Sequence, residues 1–134
     1  MLYKLLSINE SDATRTLRLE STKTKTIDTC FDDSALVSLT NNFDFMEIGK
    51  EYDCKIKLFG KLIEKRNEKS VDCIILEENI KVGNCVFVEI KVNADIYYIY
   101  QEKVEDYLEK KNFIFEFSRK DLIQVDDVIH EDLQ

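Results

Sequence analysis

Tyr52-Asp53-Cys54-Lys55-Ile56-Lys57-Leu58 decides how this chain is read. Successive side chains of an extended backbone point to opposite faces. Tyr52, Cys54, Ile56 and Leu58 therefore share one side, and Asp53, Lys55 and Lys57 the other. One apolar face and one charged face describe an antiparallel strand that packs on a core and meets water. Gly60 then interrupts the pattern before Leu62 and Ile63 resume it. A glycine inside such a run marks a bulge or bend, the device that curls a sheet toward closure.

Working outward, the same period of two recurs. Val71 to Leu76 is apolar on both faces except at Asp72. In Cys85 to Val92, Val86, Val88, Ile90 and Val92 oppose Glu89 and Lys91. Asn93-Ala94-Asp95 reads as a tight turn into Ile96-Tyr97-Tyr98-Ile99-Tyr100, a hairpin. Phe113, Phe115 and Phe117 alternate again, and Leu2 to Ile8 and Thr14 to Glu20 are further strands. Thr22 to Thr26 has the lysines of a solvated edge strand. With no proline and only three glycines, turns must rely on Asn and Asp, which tolerate the left-handed region.

Gln101 to Lys111 breaks the pattern. Val104, Tyr107 and Leu108 fall at i, i+3 and i+4, which predicts a short amphipathic helix. A second helical candidate spans Asp32 to Leu39, with Asp32 or Asp33 as its cap. The expected fold is mainly β, a single-domain antiparallel barrel or sandwich with one short amphipathic helix near 102–110.

The chain has 134 residues, 44% hydrophobic and 34% charged, a composition that supports a globular core. No run approaches the roughly 18–20 apolar residues of a membrane span, and the N-terminal stretch lacks a signal-peptide pattern. The expected location is cytoplasmic, away from membranes. Cys30, Cys54, Cys73 and Cys85 lack the close pairing of zinc ligands, and in that compartment are expected to be reduced, structural thiols.

Charge is unevenly spread. Residues 28–53 carry seven acids and one base, and residues 121–134 five acids and no base, so these two segments hold all the excess of a net charge of −8. The first sets Asp32, Asp33, Asp44 and Glu47 beside Phe43 and Phe45. The second sets Asp126, Asp127, Glu131 and Asp132 beside Val128 and Ile129. Acids steer the approach of a basic partner, and apolar anchors supply the lasting affinity. These ten carboxylates and aromatics are the expected partner-binding residues.

Catalytic signatures are missing. His130 is the sole histidine and lies near the C-terminus among acids, where solvation is expected. Three scattered glycines cannot cradle a phosphate, and no metal-ligand spacing occurs. The basic stretch Lys61 to Lys69 is diluted by Glu64 and Glu68 and reads as a hairpin loop, so nucleic acid is not an expected partner. The expectation is a non-enzymatic protein without cofactor or metal. Its expected partner is a basic protein, with a nuclease toxin as the sharpest candidate and this chain as its immunity protein. The alternative is an accessory β subunit whose partner need not be basic.

Overall fold

The computed structural model describes Met1–Gln134. Its strands are β1 (Leu2–Ser11), β2 (Thr14–Ser21), β3 (Ile27–Asp32), β4 (Glu51–Ile63), β5 (Ser70–Val82), β6 (Cys85–Val92), β7 (Asp95–Tyr100), β8 (Asn112–Val125) and β9 (Val128–Ile129). The sheet is mixed. Antiparallel ladders dominate, with parallel bridges between β3 and β8 and between β4 and β7.

The pairings describe two rings of strands that share a wall. One runs β4-β7-β6-β5-β8 and returns to β4; the other runs β4-β1-β2-β3-β8 and returns to β4. The shared wall is the long β4–β8 ladder, from Cys54 opposite Val125 to Ile63 opposite Ile114. Its alternation is the one read from the sequence. Cys54, Ile56 and Leu58 are buried, while on the other side Phe59 is exposed opposite Arg119 and Lys57 is half-buried opposite the buried Asp121.

Gly60 is where that wall bends. The register slips between Phe59 and Gly60, and a Cβ added at Gly60 would lie 1.9 Å from the Glu116 carbonyl oxygen. Only glycine lets the two backbones approach so closely. Elsewhere left-handed backbone falls on Asn93 in the β6–β7 turn (φ +56°), on Asn79 within β5 (φ +59°) and on Asp12 and Asp126, as expected of Asn and Asp, but also on Lys25 and Lys111.

Twenty-three buried side chains form the main core, among them Tyr3, Leu17, Ile56, Ile90, Tyr97, Phe113 and Phe115. Fully burying a side chain the size of Leu or Phe contributes about 1.5–3 kcal/mol. A second cluster, Val82, Phe87, Tyr98, Ile123 and Leu133, lies on the far side of β6 and β7. Both faces of β7 are thus covered, which is why its sequence is apolar without alternation.

Two expectations are corrected. Gln101 to Lys111 is not an α-helix but two 3₁₀ turns, Gln101–Lys103 and Glu105–Tyr107. Val104 between them is fully buried, and Tyr107 packs edge-on against Phe113. The i, i+3 spacing of Val104 and Tyr107 satisfies a 3₁₀ turn as well as a helix. The one α-helical turn, α1 (Ser34–Val37), lies within the second candidate, where the Ser34 N–H donates to Asp32 Oδ1 at 2.9 Å. Thr22 to Thr24 form a turn rather than an edge strand, and the lone strand there begins at Ile27.

All four thiols are free. Cys54 and Cys73 are pushed up to about 12 by burial, and burial also raises Cys30 well above the ordinary thiol value. No helix is long and apolar enough to cross a membrane.

Candidate functional site: an acidic rim built from two segments

Between β3 and β4 the chain leaves the sheet for residues 33–50, and the C-terminal segment folds back over β6 and β7. These two excursions meet. The Asn41 amide donates to the Ile129 carbonyl oxygen at 3.0 Å and to Glu131 Oε2 at 2.8 Å. Phe43 lies edge-on to the His130 ring at 6.1 Å. The Asp53 N–H donates to Asp126 Oδ1 at 2.9 Å, and the Asp126 N–H donates back to the Asp53 carbonyl oxygen at 2.7 Å. The acidic stretches that are far apart in sequence thereby form one rim.

The anchors of this rim are internal. Asp32 is buried and bound by Arg15, with Nη2–Oδ2 at 2.8 Å and Nε–Oδ2 at 3.1 Å. Arg15 also donates to the Phe43 carbonyl oxygen at 2.8 Å, and the Phe43 N–H donates to Ser34 Oγ at 3.0 Å. Asp32 and Phe43 are therefore corrected as contact residues: both are buried and hold the loop instead of facing a partner. Asp28 and Asp121 are likewise consumed, Asp28 by Lys120 and the Tyr97 hydroxyl, Asp121 by Arg119 and Lys57.

The remaining expected residues reach the surface. Asp44 is exposed, 4.0 Å from Arg15 Nε, and Glu47 is exposed and paired with Lys50. Phe45 is partly exposed, its ring edge-on to Tyr52. Asp126, Asp127, Glu131 and Asp132 are exposed, with no basic side chain engaging the last three. Asp33 is half-buried against His130.

His130 is buried, contrary to the expectation of a solvated ring. Its Nδ1 accepts the Asp132 N–H at 3.1 Å, so the ring proton belongs on Nε2, which donates to Asp33 Oδ1 at 2.5 Å. The C-terminal segment is held the same way. Leu133 is buried in the second cluster, and its carbonyl oxygen accepts the Asn84 N–H at 2.5 Å beneath Gly83.

Asp33, His130 and Asp132 bring ligand-type atoms within 4.8 Å of one another. A metal on Nε2 would move the imidazole proton to Nδ1, directly against the Asp132 N–H. The hydrogen bonds fit an imidazole clamped between a carboxylate and an amide better than a ligand set. The adjoining cavity, lined by Phe31, Lys57, Tyr100 and Arg119 among others, encloses about 120 Å³. That lies below the ~300 Å³ at which small-molecule sites begin.

Composition could not indicate the apolar half of the rim. Leu39 is 93% exposed, Leu36 and Ile48 61% each, and Val37 39%. All belong to the 33–50 excursion, where Phe45 and Ile48 alternate with Asp44 and Glu47. The signal was present in the sequence as apolar residues with no strand period to place them. Comparison of the chain with protein-family models, curated proteins and solved structures finds no match.

Proposed function

We propose that this chain is a non-catalytic protein-binding domain that docks on a basic partner through the rim formed by residues 33–50 and 126–132. The observation that carries this reading is the Asn41 bridge to Ile129 and Glu131, which joins two acidic segments beside exposed Leu36, Leu39, Phe45 and Ile48. Carboxylates without basic partners attract and orient a cationic surface, and the exposed apolar side chains offer desolvated contacts once it arrives. A cluster of exposed apolar groups of this kind marks an interaction surface.

A nuclease toxin is the partner class this chemistry suits best, because a nuclease cleft is basic in order to hold phosphates. The proposed role is then that of an immunity protein. Calorimetric titration against a candidate basic toxin tests it. Nanomolar binding that weakens steeply with salt is expected, and the combined change Asp44→Asn, Asp127→Asn and Asp132→Asn should weaken it at least tenfold. Binding indifferent to salt and to these neutralisations removes the acidic-rim mechanism.

The 93% exposure of Leu39 favours a second reading, an accessory subunit whose partner is apolar rather than basic. Leu39→Asp separates the two. It abolishes an apolar interface but only weakens one dominated by charge.

A further inference from the structure

The outward face of the β4–β8 wall has the opposite chemistry to the rim. Register places Lys57, Phe59 and Lys61 in a row along β4, with Arg119 beside Phe59 on β8. Lys103, from the turn after β7, reaches over the same face and donates to the Gly60 carbonyl oxygen at 3.1 Å. Phe59 is 42% exposed, and its ring centroid lies 4.7 Å from the Arg119 guanidinium, 5.0 Å from Lys103 Nζ and 5.9 Å from Lys57 Nζ.

Four cations on this face stand with Asp121 and with Glu116, which lies opposite Lys61, and Asp33 and Asp132 line the cavity at the Lys57–Arg119 end. Asp121 is buried and saturated by Arg119 and Lys57, and Glu116 accepts the Asn67 amide at 2.6 Å. Lys61 and Lys103 have no carboxylate partner; the only acceptor for Lys103 is a neutral carbonyl. Within a chain of net charge −8, folding thus places Lys103, which has no carboxylate partner, and the Asp121-bound Lys57 and Arg119 over one solvent-facing aromatic ring. The sequence hides this arrangement, since Lys103 and Arg119 come from elements distant from β4.

We infer that this face binds single-stranded nucleic acid. A base stacks on the Phe59 ring, and Lys61 and Lys103 take the adjoining phosphates. Every base offers a π face, so stacking on one ring with flanking ammonium groups recognises the polymer without reading its sequence. An acidic protein segment would match the cations but make no use of the exposed ring, which is why the nucleic acid is favoured. The face adjoins the acidic rim, since Asp33 and Asp132 line the same cavity as Lys57 and Arg119, but Phe59, Lys61 and Lys103, which carry the inference, belong to other elements.

The chain contains no tryptophan, so Phe59→Trp provides a single fluorescent reporter at the stacking position. Titration with oligothymidylate of about 12 nucleotides in low-salt buffer should quench that tryptophan as the anisotropy of a labelled oligonucleotide rises. Binding should weaken linearly on a log–log scale with salt. Phe59→Leu, which keeps bulk and fold but lacks a π face, should cost about tenfold in affinity, and the exposed change Lys61→Glu several-fold. Circular dichroism establishes that each variant is folded. Absence of binding, binding unchanged by Phe59→Leu, or displacement by polyglutamate as effective as by unlabelled oligothymidylate overturns the inference, the last result pointing to an acidic protein.

Discussion

Arg15 and Asp32, opposite one another on β2 and β3, form a buried ion pair at 2.8 Å from which the guanidinium also reaches the Phe43 carbonyl oxygen at 2.8 Å. The pair ties the 33–50 excursion to the sheet. Replacing Arg15 by Met leaves a buried carboxylate without its counter-charge and a carbonyl without its donor. Loss of about 3–5 kcal/mol is expected, read as a lower urea midpoint. The double change Arg15→Met with Asp32→Leu should recover part of that loss, because no orphaned charge remains. A single variant as stable as the parent would show that the pair does not anchor the loop.

Gly60 and Gly83 should respond differently to alanine. At Gly60 the new methyl collides with β8 backbone, and the shared wall cannot retreat without breaking its ladder. A global loss of about 1–3 kcal/mol is expected. At Gly83, with φ +63°, the methyl strikes the Leu133 carbonyl oxygen at 2.3 Å. There the C-terminal segment can lift away, so hydrogen exchange should rise at the amides of Asn84 and His130 while the rest of the sheet stays protected.

Thiol chemistry should single out Cys85, the only cysteine that is not buried. Ellman's reagent on the native protein is expected to react rapidly with one thiol, and Cys85→Ser should abolish that phase. Denaturant should release the other three. Fast modification of two or more native thiols would contradict the burial of Cys30, Cys54 and Cys73.

Alkaline conditions should destabilise the fold in two stages. Burial raises the thiols of Cys30, Cys54 and Cys73 above their ordinary value of 9.0. Burial also raises the phenols of Tyr3, Tyr97 and Tyr98 above 10.0, with the Asp28 charge adding at Tyr97 and the hydrogen bond to Glu89 at Tyr98. Above those pH values the unfolded chain loses protons that the native state keeps, so stability falls as pH rises. Urea midpoints should decline from about pH 9 and more steeply beyond 10. Phenolate absorbance of these three tyrosines should appear only with unfolding.

The strands were legible because alternation is local: Tyr52 to Leu58 and Cys85 to Val92 carry their own burial pattern, and Gly60 announces the bulge. The turn at Gln101–Lys111 misled because helical and 3₁₀ spacings coincide over a single i, i+3 step. The site was legible only in part. Acid content revealed where negative charge accumulates, and the excursions that carry it meet at Asn41. It could not reveal that Asp32 is paired with an arginine on the neighbouring strand, or that Phe43 points inward. Nearness to the chain end gives no sign of the burial of His130, whose ring is held by Asp33, the Asp132 N–H and the edge of Phe43, with Leu133 beyond it buried in the second cluster.

The shared β4–β8 wall has a consequence for how the molecule comes apart. Neither ring owns a complete set of strands, so a fragment ending before residue 51 would lack two of the five staves its barrel requires. Damage to either strand must propagate into both halves at once. The protein should melt as a single cooperative unit, and the acidic rim, which hangs from the ends of that wall, should vanish in the same transition rather than detach beforehand.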